Sequence, residues 1–481
     1  MSTLIIQILA FIFILGGAVV LHEFGHFIVA KLLGIRVETF SVGFGPRLWG
    51  MKWGTTDYRL SLVPLGGYVK LGGDESNAPI EGAGAADIPP EEQFNLRPRW
   101  QRIAVAVAGP VMNILTALTI PFIGALLFGV PVTPAPVVSQ IRPDGAAQLA
   151  GLQRGDRIVS FNGAENPSWE RIRGDALLSP GQPIPLVVER NGERVQLTLT
   201  PTKLVESGET IGLLDFLPDY GNLPVILREV VPGTPAEEAG LKVGDRIVAV
   251  GGETVTSAEQ VSQYIREHKG QPIKLTIERA GSRQEITTQT RLLSDGKERL
   301  GITPDEEMPY ERVGPVSAIG YAFRSNIEIL RLTGKALGQF FTGQRSARDT
   351  VSGPIGIARA SSQAVTIGGW GGFFTMLAFL SLSLGVFNLL PIPVLDGGAI
   401  FLLLIEGALG WIGVKLSTTV RERIQQVGFV LLLLLMGLVI FNDLNKEYSR
   451  WGSSSSQQPQ QQQPQQQQQP AASPAAGATQ K

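Results

Sequence analysis

Residues 4–26 read LIIQILAFIFILGGAVVLHEFGH, an apolar run that ends in two histidines spaced four residues apart. Only Gln7 interrupts the apolar character before the first histidine, and such a run is typical of a membrane-spanning helix. On a helix, His22 and His26 share one face, so both imidazoles can bind one metal ion. Glu23 lies beside them and can act as a base towards a water molecule at that metal.

The H-E-x-x-H pattern is weak on its own, and a hydrogen-bonded pair of helical histidines is the alternative interpretation. The setting favours a functional site, because ionisable residues inside a membrane span are costly and usually serve function. Histidine is also scarce, since His22, His26 and His268 are the only three in the sequence. We therefore expect the motif to form part of a metal site.

The composition indicates an integral membrane protein with several domains. The chain has 481 residues and a mean hydropathy of +0.14. Its formal net charge of -1 gives no indication of nucleic-acid binding. Cysteine is absent, so metal ligands must come from His, Asp and Glu. The first apolar run lacks a basic n-region and is too long for a signal peptide, so we expect a retained span.

Four apolar stretches predict membrane spans, at about residues 1–35, 103–130, 371–392 and 427–445. Lys and Arg concentrate in the loops before the second span and after the third, and none precedes the first span. The positive-inside rule then places both loops in the cytoplasm, with both termini and the large segment before the third span outside. This is the topology of a multi-pass inner-membrane protein.

The loop 36–72 contains short β-rich runs separated by Gly and Pro turns, which predicts a small antiparallel meander. An ordinary soluble hairpin is the alternative. The apolar content favours a membrane-associated sheet on the cytoplasmic side that offers an edge. Residues 73–102 then predict a flexible cytoplasmic loop.

An internal repeat occupies the segment between the second and third spans. PDGAAQLAGLQRGDRIVSFNG begins at Pro143 and PGTPAEEAGLKVGDRIVAVGG begins at Pro232, 89 residues later. The shared A-G-L-x-x-G-D-x-I pattern resembles PDZ domains, so residues 131–218 and 219–308 predict two PDZ-like β-rich domains. PDZ grooves take an extended chain end as an added strand. The alternative is a pair of structural modules without a ligand.

Three further segments complete the predicted organisation. Residues 309–370 predict an amphipathic helical connector. Residues 393–426 hold an L-D-G motif and a cytoplasmic loop. Residues 446–481 form a Gln/Pro-rich tail that cannot bury a core, and we expect it to be disordered.

A catalytic zinc site usually has three protein ligands, so the two histidines require a third. His268 lies in the second repeat, on the other side of the predicted membrane, and is rejected. Asp396 lies in NLLPIPVLDGG, at the end of the third span. Both Asp396 and His22 fall near the cytoplasmic side of the predicted membrane core. On spacing alone, Asp396 can equally be a metal ligand or a simple turn residue.

The chain resembles the site-2 intramembrane zinc metalloproteases, closest to the bacterial regulator-of-sigma-E protease group. The shared motifs are HEFGH, PLGGYVKLGG, AGPVMN, SGPIGIA and NLLPIPVLDGG, together with the tandem PDZ-like repeats. The resemblance implies one zinc ion per chain, held by His22, His26 and Asp396, with Glu23 as the catalytic base. It also implies that substrate contacts come from Asn388, Pro391, Pro393, Gly66, Gly67, Tyr68 and Val69.

The implied reaction is hydrolysis of a peptide bond within the transmembrane segment of a single-span membrane protein. Anti-sigma factors after a first external cut, and remnant signal peptides, are the implied substrates. The PDZ-like repeats would meet peptide ends or ectodomains outside the membrane. Two rivals stay open from the sequence: a metal transporter, and a membrane-anchored PDZ scaffold whose metal site is structural.

Overall fold

The computed structural model describes residues 3–74, 88–206, 209–219, 224–255, 257–292, 298–306, 310–346, 353–413 and 418–455. Residues 75–87 of the predicted cytoplasmic loop and 456–481 of the predicted disordered tail lie outside these residues. The helices, numbered in chain order, are α1 (Thr3–Leu32), α2 (Arg99–Phe128), α3 (Ala146–Leu149), α4 (Trp169–Leu177), α5 (Pro235–Glu238), α6 (Ala258–Glu267), α7 (Pro315–Phe341), α8 (Pro354–Asn388), α9 (Asp396–Trp411) and α10 (Thr418–Ser455).

Four of these helices are long and apolar enough to cross a membrane. The four apolar segments are Ile5–Leu32 in α1, Arg99–Phe128 in α2, Pro354–Asn388 in α8 and Arg423–Lys446 in α10. Each exceeds the roughly 20 residues that a bilayer core requires. The helices therefore fit the predicted polytopic membrane protein.

Small residues allow α1, α2 and α8 to pack closely. A Cβ on Gly25 of α1 would lie 2.3 Å from the carbonyl oxygen of Ala108 in α2. A Cβ on Gly385 of α8 would lie 2.9 Å from the carbonyl oxygen of Pro110 in α2. Membrane helices use such small residues to bring their backbones together. As a result, α2 lies directly against the HEFGH turn of α1.

Several elements differ from the sequence-based expectation. Helix α2 begins at Arg99, inside the expected loop 73–102, and α10 runs from Thr418 to Ser455, so that it includes the end of the expected loop 393–426 and the start of the expected disordered tail. The third span is expected at 371–392, whereas α8 begins at Pro354. Gly369 (φ 54°) makes a kink inside α8, and the expected span corresponds to the part after this kink. Part of the expected loop 393–426 is α9, a helix of 16 residues. At 1.5 Å per residue α9 is about 24 Å long, which is shorter than the membrane core.

The predicted meander is present as two long antiparallel strands, β1 (Val37–Trp53) and β2 (Thr56–Leu71). Residues 37–42 pair with 67–71, so that Val42 lies opposite Gly67. The segment 67–71 packs on α1, and a Cβ on Gly67 would lie 3.5 Å from Val20 Cγ2. One edge of this segment therefore meets β1 and the other faces α1.

Two similar domains are inserted between α2 and α7. A short stem closes the insertion, because Val130–Pro131 (β3) pairs with Tyr310–Glu311 (β20). The first repeat domain contains β4 (Ala135–Ile141), β5 (Arg157–Phe161), β6 (Ala164–Glu165), β7 (Ile184–Arg190), β8 (Glu193–Leu199), β9 (Thr202–Glu206), β10 (Glu209–Leu213) and β11 (Phe216–Asp219). The second contains β12 (Val225–Val230), β13 (Arg246–Val250), β14 (Glu253–Thr254), β15 (Pro272–Arg279), β16 (Ser282–Gln289), β17 (Arg291–Leu292), β18 (Glu298–Arg299) and β19 (Ile302–Glu306).

The repeat seen in the sequence recurs in strand order and in side-chain contacts. The sheets run β11-β4-β5-β7-β8 and β19-β12-β13-β15-β16. The aspartate of each repeated Gly-Asp pair accepts from an arginine at the end of a strand: Asp156 from Arg190 at 2.7 Å, and Asp245 from Arg279 at 2.6 Å. The Gly-Asp motif therefore has a structural role in both domains.

Helix α7 joins the first repeat domain to the helical bundle. Its Asn326 donates to the carbonyl oxygen of Ala117 in α2 at 3.0 Å. Its Arg331 and Lys335 lie 2.8 and 2.9 Å from the fully buried Asp175 in α4. Burial alone would raise the pKa of Asp175, but hydrogen bonds from Lys335 and Arg331 lower it to about 2. The domain is thus docked through a buried carboxylate.

Candidate metal centre

Three metal-ligating side chains converge where α1 meets the start of α9. His22 Nε2 lies 2.9 Å from Asp396 Oδ2, and His26 Nε2 lies 3.5 Å from Asp396 Oδ1. The two Nε2 atoms are 3.2 Å apart. The structure therefore brings together the two motif histidines and the aspartate whose role the spacing alone left open.

The spacing of these atoms suits a zinc ion. Zinc binds His nitrogen and carboxylate oxygen at about 2.0–2.2 Å, so tetrahedral ligand atoms lie roughly 3.3–3.6 Å apart. With one donor atom taken from each of His22, His26 and Asp396, all three lie within 4.8 Å of one another. The two imidazole Nε2 atoms, 3.2 Å apart, are close to the tetrahedral separation. Three protein donors leave a fourth position for a water molecule or substrate.

Helix α2 contacts the far side of both imidazoles. His26 Nδ1 lies 2.7 Å from the carbonyl oxygen of Val105 and donates to it, which leaves the Nε2 lone pair for the metal. His22 Nδ1 lies 3.3 Å from the carboxamide of Asn113. Between these two residues, Gly109 faces the site, and a Cβ there would lie 2.3 Å from His26 Nε2. Glycine at this position leaves the metal-facing nitrogens uncovered.

Glu23 links the site to the meander. Its Oε2 accepts a hydrogen bond from the backbone N–H of Val69 at 3.1 Å. In the chain, Glu23 directly follows the metal-ligating candidate His22. Glu23 therefore lies between the three donors and the edge of β2.

The other predicted substrate residues of the meander have packing roles in the structure. Gly66 and Gly67 lie against α1, where a Cβ on Gly66 would be 2.9 Å from Val19 Cγ1. Tyr68 is buried and stacks on Phe44 at 6.1 Å between ring centroids. Val69 donates the hydrogen bond to Glu23 described above.

The last residue of α8 contributes a second polar group, and the loop to α9 follows it. Asn388 Nδ2 lies 3.3 Å from His22 Nε2. Pro391 is exposed, whereas Pro393 packs on α10, where a Cβ on Gly428 would lie 2.3 Å from Pro393 Cβ. The structure thus brings Asn388 to the site but neither proline.

Val394 in this loop has a backbone φ of 85°, which is strained for a β-branched residue. Leu395 is the N-cap of α9, so Asp396 occupies the first helical position. Gly397 follows, and a Cβ there would lie 2.3 Å from the carbonyl oxygens of Leu389 and Leu390. The D-G-G sequence therefore permits a tight turn that directs the aspartate towards the histidines.

Sequence reasoning missed the contribution of α2 to this centre. It assigned no role to Val105, Gly109 or Asn113, and none to Ser381 of α8, which contacts Asn113. The available signal was a polar Asn in an apolar span, since such residues usually serve function. However, the hydrophobic periodicity of one helix does not show which of its residues will face a second helix.

Comparison with known proteins identifies the family. The model of peptidase family M50 matches residues 10–435, nearly the whole chain. The chain therefore belongs to peptidase family M50, the site-2 protease family.

Several relatives align over almost their entire length. Protease RseP of Yersinia pestis is 34% identical over 472 residues, covering 93% of this chain and 100% of the relative. Regulator of sigma-E protease RseP of Escherichia coli K12 is 32% identical, covering 91% and 98%. A putative zinc metalloprotease of Vibrio cholerae is 31% identical, covering 93% and 100%. These matches confirm the resemblance found in the sequence.

Proposed function

We propose that this protein is an intramembrane zinc metalloprotease that hydrolyses a peptide bond within the transmembrane segment of single-span membrane proteins. The observation that carries the proposal is the convergence of His22, His26 and Asp396, inside an apolar helical bundle, beside Glu23. The relatives named regulator of sigma-E protease favour an anti-sigma factor, after a first external cut, as substrate. Remnant signal peptides have the same single-span chemistry and are the second substrate class.

His22, His26 and Asp396 would hold one zinc ion per chain. When bound, zinc acts as a Lewis acid towards the scissile carbonyl and lowers the pKa of a water molecule. Glu23 would accept a proton from the attacking water molecule and deliver it to the leaving nitrogen. Its hydrogen bond from Val69 fixes the carboxylate between the metal site and the meander.

The substrate helix must unwind before cleavage, because a helical backbone is shielded by its own hydrogen bonds. Unwound backbone in lipid is costly unless protein groups satisfy it. A substrate strand added to the 67–71 segment on the side opposite β1 would take the place of Glu23 at the Val69 N–H. The carboxamide of Asn388 adds a side-chain donor and acceptor on the opposite side of the site.

We infer a bacterial inner-membrane location with the metal site near the cytoplasmic face. The Lys and Arg residues of the two loops beside the site support this orientation. Both repeat domains and both termini then lie outside the cytoplasm. The repeat domains meet peptide ends or ectodomains there, and β19 stands at the edge of its sheet beside α6.

The proposal is tested by incubating the purified full-length protein with a single-span substrate. Cleavage is expected to stop when a zinc chelator is added and to return with zinc. His22→Ala should abolish cleavage, whereas His268→Ala, in the second repeat domain, should not. Zinc flux in proteoliposomes without any proteolysis would instead support a transporter, and full function in Glu23→Gln would support a scaffold.

A further inference from the structure

The motif AGPVMN, residues 108–113, has no role in the proposed reaction, yet it lies against the candidate metal ligands. Its Asn113 is completely buried in α2 and faces His22 across the helix interface. A buried polar side chain in a membrane core is costly unless its hydrogen bonds are made. The role of this carboxamide therefore depends on the hydrogen bonds that it can make.

The tautomer of His22 determines whether Asn113 must accept or donate a hydrogen bond. The Nε2 atom faces His26 and Asp396, so Nε2 is the atom that would bind the metal. A neutral imidazole that binds metal through Nε2 carries its proton on Nδ1. That Nδ1–H needs an acceptor, and within a carboxamide only the oxygen can accept.

Ser381 of α8 can fix the carboxamide in the required orientation. Its hydroxyl lies 3.0 Å from the backbone carbonyl oxygen of Asn113 and 3.2 Å from the carboxamide Oδ1, and it can donate to either. The structure has Nδ2 of Asn113 towards His22, and oxygen and nitrogen of an amide exchange places by a simple flip. After the flip, Nδ2 donates to the Ser381 hydroxyl, and every polar group in the network has a partner.

We propose that Asn113 is a positioning residue whose carboxamide oxygen accepts the Nδ1 proton of His22, with Ser381 fixing that orientation. The proposal rests on the metal site of the proposed function. Val105, four residues before Gly109, gives His26 the equivalent acceptor at 2.7 Å. Val105, Gly109 and Asn113 recur every four residues, so one face of α2 serves both histidines.

The test measures zinc affinity of the full-length protein in detergent, after removal of metal, by competition with a chelator of known affinity. Asn113→Leu keeps the approximate volume but removes the acceptor. It should raise the zinc Kd by about 10–100-fold, the usual effect of losing such a partner. Asn113→Asp keeps an acceptor and should stay within about threefold of wild type. Asn326→Leu, which removes a buried amide of α7, is the control and should leave the Kd unchanged.

A wild-type Kd in Asn113→Leu would overturn the proposal. An equal loss in the Leu and Asp variants would also overturn it, since packing rather than the acceptor would then matter. If thermal unfolding shows that Asn113→Leu does not fold, Ser381→Ala decides: a severalfold higher Kd is expected, and an unchanged Kd contradicts the proposal. If wild type itself binds no zinc, the proposed function fails. If wild type binds zinc and Asn113→Leu binds it equally well, only the positioning role of Asn113 fails.

Discussion

Because Gly109 has no side chain, it leaves room for a metal ion beside the two histidines. A Cβ at Gly109 would come within 2.3 Å of His26 Nε2 and 2.8 Å of His22 Nε2. Contacts this short cannot be relieved by a flexible side chain, because both rings are held from behind by α2. The histidines were predictable because positions i and i+4 share a helix face, whereas Gly109 was not, because its importance depends on helix packing.

Gly109→Ala is expected to lower zinc content from about one per chain to a small fraction, because the new methyl group occupies the metal-facing side of the imidazoles. Zinc can be measured by elemental analysis of the purified protein. Gly124→Ala is the matched control on the same helix, since a Cβ there meets nothing within 4 Å. Full zinc occupancy in Gly109→Ala would show that the histidines do not bind metal through Nε2.

A buried aspartate holds the mostly exposed helix α10 to the start of α8. Its buried Asp443 accepts backbone hydrogen bonds from Gly353, Ile355 and Gly356, all at 3.0 Å, at the start of α8. Such an arrangement satisfies the free N–H groups of a helix N-terminus and complements its dipole. Neither this contact nor the early start of α8 was predictable, because both depend on a partner distant in sequence.

Asp443→Ala should therefore destabilise the protein by about 2–4 kcal/mol, because three buried N–H groups lose their acceptor. Asp443→Asn keeps one acceptor oxygen and should cost less. Thermal unfolding in detergent gives both values. Identical melting temperatures for wild type and Asp443→Ala would show that the contact contributes nothing.

The docking of the first repeat domain on α7 should depend on pH. The pKa of Asp175 is lowered to about 2 in the folded protein from its ordinary value of 3.8. A lowered folded pKa adds stability that is complete above pH about 4 and is lost as the pH falls towards 2. The full effect is roughly 2 kcal/mol.

Hydrogen exchange of α4 can follow this docking between pH 6 and pH 2.5. Wild type should lose protection as the pH falls, whereas Asp175→Asn should be less protected at pH 6 and should change less with pH. Asp144→Asn, at an exposed carboxylate of the same domain, is the control and should behave as wild type. A wild-type pH response in Asp175→Asn would assign the effect to another group.

The candidate metal ligands and the two repeat domains lie in separate parts of the molecule. The metal centre lies in the helical bundle, and both repeat domains are inserted through one short stem, β3 paired with β20. The internal repeat and the apolar spans were readable from sequence because they are local patterns. The convergence of Asp396 on the motif was not, because a turn residue and a ligand look the same in D-G-G.

The stem permits a direct test of the repeat domains, since residues 131 and 310 are paired and a short flexible linker can replace 132–309. If the domains act as a size filter, the deletion should cleave substrates with intact bulky ectodomains while retaining activity on trimmed ones. If a groove must bind the new chain end, activity on trimmed substrate should be lost. A deletion that keeps its zinc and still discriminates as wild type does would exclude both roles.

Locating the cleaved bond tests whether the protein hydrolyses a peptide bond within a transmembrane segment and whether Glu23 acts as the base. Purified wild type and Glu23→Gln, both loaded with zinc, are incubated with a single-span substrate, and the products are analysed by mass spectrometry. We predict that wild type cleaves within the transmembrane segment and that Glu23→Gln binds zinc normally but cleaves at least 100-fold more slowly, about the contribution of a general base. Cleavage only outside the membrane segment, or equal cleavage by Glu23→Gln, would contradict the assignment.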